Sequence, residues 1–285
     1  MISRIGFVSR LDDAEALETA TGLFKFAVSK GLGAIPEEEF ARLKHLSGGK
    51  PLSEMKADLV VTVGGDGTVL KTSMLMSKPS TPILAVNMGR RGYLTEVSPE
   101  QARKAIGDCL AGRIRLEERM KLSMMHGSGI SVDGLNEALV APGLPYKMID
   151  VKIGVGNSDL VECRADGLIV ATPTGSTAHA YSAGGPVLDP SLDAFVLVFI
   201  CPVDPLHPVV VPAKEDLSIQ LNSSASKAAV IVDGRHCQDL LPGASITIRK
   251  SKDKAVFVRF DSSRVRRSLV RFPAAEIGRS ESAGS

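Results

Sequence analysis

The sequence predicts two domains, an N-terminal α/β domain with a Rossmann-like parallel sheet and an all-β, sandwich-like C-terminal domain. Apolar runs alternate with segments of helical periodicity in the first part of the chain, and short β-branched runs between turn residues replace them afterwards. A chain of 285 residues is also long for a single hydrophobic core. The predicted domains are 1–115 and 116–262, and the segment 263–285 is expected to pack back on the first domain and to end in disorder.

The first part of the chain has the pattern of a parallel sheet covered by helices. Leu17, Phe24 and Val28 follow the first apolar run at helical spacing, so a helix is expected there. Ser98 and Pro99 predict the start of a further helix, as N-cap and first helical residue. Strands are predicted over residues 5–8, 59–63 and 83–86, and another helix over 69–77.

The second part of the chain is predicted to be all-β. Short runs rich in β-branched residues are separated by Gly, Asn, Asp and Pro, which is typical of a sandwich or a distorted barrel. The predicted strands cover residues 151–155, 168–171, 195–200, 217–221, 229–232, 246–248 and 255–260.

The composition argues against several classes of function. The formal net charge is +2, so no field of one sign favours nucleic acid or an anionic membrane. The longest apolar run, 194–203, contains Pro202 and is shorter than the about 20 residues of a membrane helix. The chain starts without a signal-peptide pattern, so a cytoplasmic location is expected. The cysteines lack the paired spacing of zinc or redox sites, so no side-chain metal site is predicted.

The strongest chemical signal follows the second predicted strand, where Gly64, Gly65, Gly67 and Thr68 surround Asp66. Glycines let backbone N–H groups approach a ligand, and the start of a helix favours phosphate. A carboxylate among phosphate oxygens is repulsive unless it orients an acceptor hydroxyl, takes its proton or is bridged by Mg²⁺. Asp66 therefore indicates phosphoryl transfer, although a tight acidic turn with Asp66 as helix cap has the same sequence pattern.

Further polar groups stand at turns in the second part of the chain. Asn136 and Glu137 interrupt an apolar strand pattern and are suited to hydrogen-bond a base edge or ribose hydroxyls. The segment 172–179 offers hydroxyls and exposed backbone to ribose or phosphate. Asp166 and Asp233 each precede a glycine. Taken singly, each of these features is also typical of an ordinary loop, edge strand or Asp-Gly turn.

Taken together and in order, these motifs resemble the NAD kinase family. The matching segments are Gly64 to Thr68, Asn87-x-Gly89-x-x-Gly92-Tyr93-Leu94, Asn136-Glu137, Asp166-Gly167, Thr172 to Ala178, Ala183 to Pro186 and Asp233-Gly234. The glycine motif alone is shared with lipid kinases and phosphofructokinases, whereas the long threonine-rich segment after Asn-Glu is more specific. The resemblance implies a site between an α/β and a β-rich domain. It also implies transfer of phosphate from ATP, or polyphosphate, to the 2′-hydroxyl of the adenosine ribose of NAD.

The resemblance also implies a role for each matching residue. Asp66 is expected to be catalytic, with phosphate bound by Gly64, Gly65, Gly67 and Thr68. The residues expected to bind NAD are Asn136, Glu137, Asp166, Thr174, Thr177, Ala178, His179 and Asp233. A divalent ion, Mg²⁺ by preference, is expected with the donor phosphates, and the assembly is expected to be a homodimer or homotetramer.

One position departs from the family pattern. Where tyrosine commonly follows Thr-Ala, this chain has His179, whose imidazole can still stack and hydrogen-bond but offers less apolar area. An exposed loop histidine without a role is the alternative at this position.

Two other functions compete with NAD phosphorylation. A lipid or sugar kinase would share only the glycine loop, and Asn136-Glu137 with the segment 172–178 counts against it. A non-catalytic dinucleotide sensor would need no carboxylate beside phosphate, so Asp66 counts against that function.

Overall fold

The computed structural model describes residues 2–89, 92–127, 129 and 131–260 of the chain. The predicted C-terminal segment 263–285 lies outside these residues. The helices are α1 (Ala14–Ser29), α2 (Glu38–Lys44), α3 (Asp66–Leu75), α4 (Pro99–Leu110) and α5 (His179–Ser182). The strands are β1 (Arg4–Ser9), β2 (Gly33–Pro36), β3 (Leu59–Gly64), β4 (Ile83–Asn87), β5 (Arg115–His126), β6 (Ser131–Gly134), β7 (Glu137–Pro142), β8 (Ile149–Val155), β9 (Ser158–Ala165), β10 (Gly167–Ala171), β11 (Ala194–Ile200), β12 (Val209–Pro212), β13 (Leu217–Leu221), β14 (Ala228–Val232), β15 (Arg235–Leu240) and β16 (Ser245–Arg259).

The first four strands form a parallel sheet in the order β2-β1-β3-β4, with helices on both faces. Successive side chains of a strand point to opposite faces, so a strand covered on both sides is apolar throughout, as β3 is. Leu59 and Val61 pack with α1 and α4 on one face, whereas Val60 packs with Val69 of α3 on the other. The predicted α/β domain is confirmed in this arrangement.

The capping residues explain where the helices begin. Asp13 is the N-cap of α1, and its carboxylate accepts hydrogen bonds from the backbone N–H groups of Glu15 and Ala16. Helix α4 begins as predicted, with Ser98 as N-cap and Pro99 as its first residue, and Ser98 and Gln101 form a capping box there. The predicted helix 69–77 instead begins at Asp66 and ends at Leu75, because Gly65 serves as its N-cap and the glycine turn belongs to the helix start.

The C-terminal half is a sandwich of two sheets around one core. The first sheet contains β16, β13, β8, β9, β5 and β6, and the second has the order β12-β11-β10-β7-β14-β15. The core between the sheets includes Leu122 and Ile246 from the first sheet and Val140 and Leu197 from the second. The all-β prediction is confirmed, with two corrections. A 3₁₀ turn at Gly175–Thr177 and the short helix α5 interrupt the strands. Strands β5, β6, β9, β12 and β15 were not predicted.

Strand β16 joins the two halves into one ten-stranded mixed sheet. It pairs in parallel with β4, where Phe257 lies opposite Ile83, and antiparallel with β5 over most of its length. The runs predicted as separate strands at 246–248 and 255–260 both belong to this strand, with a register irregularity between Lys250 and Lys254. The parallel sheet is therefore continued by the strands of the second domain.

Among the described residues, no helix is long and apolar enough to cross a membrane.

Replacing Phe257 with alanine is expected to destabilise the whole chain. Phe257 is fully buried in the cluster that contains Val69, Ile83 and Leu135, so its loss leaves a cavity where the two halves meet. A Phe→Ala change in a core costs about 3–5 kcal/mol, measured here by urea unfolding. Leu116→Ala on the neighbouring strand is the control, because Leu116 is 49% exposed and should cost less than about 0.5 kcal/mol. Equal stabilities of the two variants would contradict this role of β16.

Candidate active site

Asp66 is the first residue of α3, yet its side chain does not cap that helix. The N-cap is Gly65, and the Asp66 carboxylate accepts hydrogen bonds from the backbone N–H of Tyr93 at Oδ2 (3.0 Å) and of Leu94 at Oδ1 (3.0 Å). Asp66 thus connects two segments, the loop that follows β4 and the turn between β3 and α3. The alternative of a simple acidic helix cap does not fit this geometry.

The glycine loop is closely packed on one side and open on the other. A Cβ atom added at Gly64 would collide with the side chain of Thr68, whereas one added at Gly65 or Gly67 would meet no atom within 4 Å. Backbone N–H groups at the start of α3 can therefore be approached closely by a ligand. Because a helix N-terminus carries a partial positive charge, the expected ligand is anionic.

The loop after β4 is shaped by Asn87. This residue lies beside Gly64 in the sheet, and its side chain donates to Gly89 O (2.7 Å) and accepts from Gly89 N (3.2 Å). The loop then leads to Tyr93 and Leu94, whose backbone N–H groups bind Asp66. The Asn87-x-Gly89 motif, to which no role was assigned from the sequence, thus precedes the segment that holds the predicted catalytic carboxylate.

A second carboxylate, Asp233, organises the turn before β7. Asp233 follows β14 in a left-handed conformation with φ of 46°. Its carboxylate accepts from the backbone N–H of Leu135 (2.7 Å), Asn136 (2.8 Å) and Glu137 (3.0 Å). Burial raises the pKa of Asp233, while these three N–H groups act in the opposite direction. Asp233 therefore contacts the backbone of this segment and in this way positions Asn136 and Glu137.

Glu137 presents a carboxyl group with spare hydrogen-bonding capacity. Burial, together with the neighbouring charge of Asp233, raises the pKa of Glu137 to about 7. Its Oε2 atom is buried and has no hydrogen-bond partner among the described residues. Such an atom is suited to bind a ligand hydroxyl or amine, because an unpaired buried polar group is otherwise costly.

The threonine-rich turn after β10 packs directly on this segment. Thr172 donates its backbone N–H to Asn136 O (2.8 Å) and its hydroxyl to Leu135 O (2.6 Å). A Cβ atom at Gly175 would collide with the Asn136 carbonyl, so only glycine allows this approach. The turn and the Asn136-Glu137 pair therefore form one cluster.

The remaining predicted residues of the turn differ in exposure. Thr174 is almost buried and its hydroxyl accepts from Arg119 Nη1 (3.3 Å). Thr177 and Ala178 are half-buried, and the Thr177 hydroxyl donates to Thr174 O (3.1 Å). His179 begins α5 and is exposed. These residues lie along one edge of the cluster.

Asp166 does not join this cluster within one chain. It is exposed and precedes β10, whereas the threonine-rich turn follows the same strand. Five strand residues at about 3.3 Å each separate the two ends by roughly 17 Å. The structure thus brings Asn136, Glu137 and Asp233 together with the turn, and leaves Asp166 at the opposite end of the sheet.

The glycine loop and the second-domain cluster adjoin each other. Leu135 is packed in the same buried cluster as Val69 of α3 and Leu94. The buried Lys121 donates to Ser73 O near the end of α3 (3.4 Å), and its Nζ lies 3.9 Å from Asp133 Oδ2. Sequence reasoning missed Lys121. The available signal was a lysine among the apolar residues Met120, Leu122 and Met124, a segment that was not identified as a strand.

Comparison with known proteins supports the same interpretation. The ATP-NAD kinase N-terminal domain model matches residues 5–114, and the ATP-NAD kinase C-terminal domain model matches residues 135–260. A protein from Methanothermobacter thermautotrophicus named NAD kinase is 38% identical over 275 residues, which is 94% of this chain and 96% of that protein.

Two solved structures of nucleotide kinases are similar to this chain. An NAD kinase from Archaeoglobus fulgidus in complex with ATP is 29% identical, with a TM-score of 0.75 over 95% of this chain and all of that one (100%). Yeast NADH kinase complexed with NADH has a TM-score of 0.88 over 97% of this chain and 89% of that one, and at 21% identity it supports the fold alone.

The fold and the adjoining glycine loop and polar cluster define a phosphotransferase. Within that class, the chain belongs to the NAD kinase family. The resemblance seen in the sequence motifs is therefore confirmed.

We expect Glu137 to make the stability of the ligand-free protein depend on pH. The pKa of Glu137 is raised from 4.5 to about 7 on folding, so the folded state holds this proton more tightly. The associated stability is present below about pH 4.5 and is lost as the pH rises towards 7. Urea unfolding of wild type between about pH 5 and 8 should show this loss, and Glu137→Gln should reduce it. Glu162→Gln, at an exposed position of β9, is the control and should behave as wild type.

Proposed function

We propose that the chain is an NAD kinase that transfers the terminal phosphoryl group of ATP to the 2′-hydroxyl of the adenosine ribose of NAD, giving NADP. The observation that carries this proposal is the position of Asp66 on an open glycine loop that adjoins the cluster around Asn136 and Thr172. Phosphoryl transfer depends mainly on positioning and on neutralisation of charge, and this arrangement offers both.

In this proposal Asp66 orients or deprotonates the acceptor hydroxyl. Each of its carboxylate oxygens accepts one backbone N–H, from Tyr93 or Leu94. A carboxylate has about four lone-pair sites, so it retains capacity for the acceptor hydroxyl while the two N–H groups fix its orientation. This combination of orientation and spare capacity is what a catalytic base or orienting group requires.

The donor phosphates are proposed to bind at the glycine loop. The space beside Gly65 and Gly67 at the start of α3 is open, so phosphate can approach the backbone there, with Gly64 and Thr68 on either side. The Archaeoglobus enzyme, similar to this chain, was solved with ATP. ATP is therefore the proposed donor. Whether polyphosphate also serves as donor is tested by supplying it in place of ATP.

A divalent ion is proposed to accompany the donor phosphates. Among the described residues, no three His, Cys, Asp or Glu side chains lie close enough together to hold a metal ion. Mg²⁺ keeps several waters and is commonly held by substrate phosphates, so such an ion does not need a dedicated set of protein side chains. The bound ion would neutralise phosphate charge.

NAD is proposed to bind on the cluster of the second domain. The proposed contacts are made by Asn136, Glu137, Thr174, Thr177, Ala178 and His179. Asp233 supports this set from behind, because its carboxylate already accepts three backbone N–H groups. Asp166 could contribute only from a second copy of the chain, as in the homodimer or homotetramer expected from the sequence.

The domain boundary and the cellular location expected from the sequence are also part of the proposal. The domain boundary near residue 115 is supported by the family models, of which the first ends at 114 and the second begins at 135. A cytoplasmic location is the expectation for an enzyme that uses these nucleotides.

Replacing Asp66 with asparagine is expected to lower kcat for NADP formation by about 10²–10⁴, or roughly 3–5 kcal/mol of barrier. The assay combines purified protein with NAD, ATP and Mg²⁺, and detects product with an NADP-specific dehydrogenase. Asp58→Asn is a matched control, because Asp58 also accepts two backbone N–H groups but lies at the opposite end of β3. Near-normal turnover of Asp66→Asn would remove Asp66 from the chemistry. A wild type that is silent with ATP and with polyphosphate, yet binds NAD, would favour a sensor.

His179→Tyr tests whether the exposed residue 179 contacts NAD. A tyrosine ring offers more stacking area, so the KM for NAD should fall by about 2–10-fold, as expected for roughly 0.5–1.5 kcal/mol. His207→Tyr, in an exposed loop before β12, should leave this KM unchanged. An unchanged KM for His179→Tyr would assign His179 to the loop surface alone.

A further inference from the structure

A group of charged side chains is buried where the two halves of the site meet. Arg119, Arg259 and Glu96 are each less than 5% exposed, and Glu117 lies between the two arginines. Charged groups are rarely buried so completely unless they are paired, and even paired they often stabilise a fold less than apolar residues would. Stability alone therefore does not explain why charged residues occupy these positions.

The first part of this arrangement leads from Asp66 to Arg259. Leu94 donates its N–H to Asp66 Oδ1 (3.0 Å), and its carbonyl accepts from Arg259 Nη1 (3.1 Å). Arg259 Nη1 also lies 3.1 Å from Glu96 Oε2, and the guanidinium stacks over the ring of Phe257 at 5.1 Å. Arg259 is thus held on three sides while it contacts the residue that binds Asp66.

The second part leads from Arg259 to the threonine-rich turn. Arg259 Nε donates to Glu117 Oε2 (2.6 Å), and Arg119 Nη2 lies 3.1 Å from Glu117 Oε1. Arg119 Nη1 then donates to the Thr174 hydroxyl (3.3 Å). Burial alone would raise the pKa of Glu117, but the two guanidinium groups outweigh it and lower that pKa. Glu117 is therefore a charged carboxylate that bridges two cations.

We propose that Arg259, Glu117 and Arg119 are positioning residues that hold the Asp66 carboxylate at a set distance from the nucleotide-binding turn at Thr174. This inference rests on the proposed function, because it concerns the geometry between the group that acts on the acceptor hydroxyl and the turn that binds the acceptor. We refer to the three residues as the buried ionic chain. At one end Arg259 contacts Leu94, which binds Asp66, and at the other end Arg119 contacts Thr174 of the turn. The three residues act on the reaction only through these contacts.

The planar fork of arginine is necessary for this role. Arg259 uses Nε for Glu117 and Nη1 for Leu94 and Glu96, which point in different directions. A lysine ammonium is a point donor and cannot reach all of these acceptors from one position. Since a misplacement of about 1 Å remote from the chemistry can lower a rate about 10²-fold, loss of one contact should affect turnover.

The first test is Arg259→Lys, assayed for NADP formation with NAD, ATP and Mg²⁺. We expect kcat to fall by about 10–100-fold while the dissociation constants of NAD and ATP change by less than about 3-fold. The matched control is Arg249→Lys on the same strand, where Arg249 forms an ion pair with Asp216 that is about half exposed. Its kcat should equal that of wild type. Equal kcat values for Arg259→Lys and wild type would overturn the proposal.

Glu117→Gln is the second variant and is needed in case Arg259→Lys does not fold. The amide keeps the shape of the side chain but faces one arginine with N–H instead of oxygen, so one contact of the chain is lost. It should show the same separation, with kcat lowered and nucleotide binding retained. Wild-type kcat in folded Glu117→Gln would also overturn the proposal.

Combination with Asp66→Asn separates positioning from general damage. If the buried ionic chain acts through Asp66, then Arg259→Lys or Glu117→Gln should lower the residual rate of Asp66→Asn by less than about 3-fold. General damage would instead lower it by the full factor, which would contradict the proposal. A wild type that forms no NADP would contradict the proposed function itself and, with it, this role. An active wild type with equally active Arg259→Lys and Glu117→Gln variants would contradict only the positioning role.

Discussion

The fold depends on a single strand, β16, that belongs to both halves of the molecule. Its first part contributes Ile246 and Ile248 to the core of the sandwich, and its last part contributes Phe257 and Val258 to the clusters around the parallel sheet. The parallel strands and the sandwich are therefore connected by backbone hydrogen bonds as well as by apolar packing. A site built between such halves has its walls fixed relative to each other, which is what phosphoryl transfer requires.

On this common sheet, each half of the site is organised by one carboxylate that accepts backbone N–H groups. Asp66 binds the amides of Tyr93 and Leu94, and Asp233 binds those of Leu135 to Glu137. Both aspartates precede a glycine in the sequence, but they differ in what remains available. Asp66 lies beside a loop with open space at two glycines, whereas Asp233 is largely buried beneath the segment that it holds. The same interaction thus orients the proposed catalytic carboxylate in one half and the proposed NAD-binding segment in the other.

The parts of this structure that were predicted from sequence depend on local patterns. The glycine loop after an apolar strand, the capping box of α4 and the β-rich second half follow from neighbouring residues, and the structure has them. Strand β5 was missed because Glu117, Arg119 and Lys121 give it the appearance of an exposed polar segment. Arg119 and Lys121 are nevertheless buried, and their hydrogen-bond partners lie far away in the chain, Thr174 for Arg119 and Ser73 for Lys121. The motif order likewise suggested that Asp166 and the threonine-rich turn belong together, although β10 separates them.

The charges around the site also determine how an anionic substrate can be bound. The buried cations next to it already have carboxylate neighbours in the described structure, Glu117 for Arg119 and Arg259, and Asp133 for Lys121. A phosphate that drew one of these cations away would leave its carboxylate without that partner. In the proposed function, phosphate charge is therefore met by the N–H groups and the positive end of α3 at the open glycine loop, and by the ion proposed to accompany the donor. The proposed roles thus separate the cations that fix geometry from the groups that neutralise the substrate.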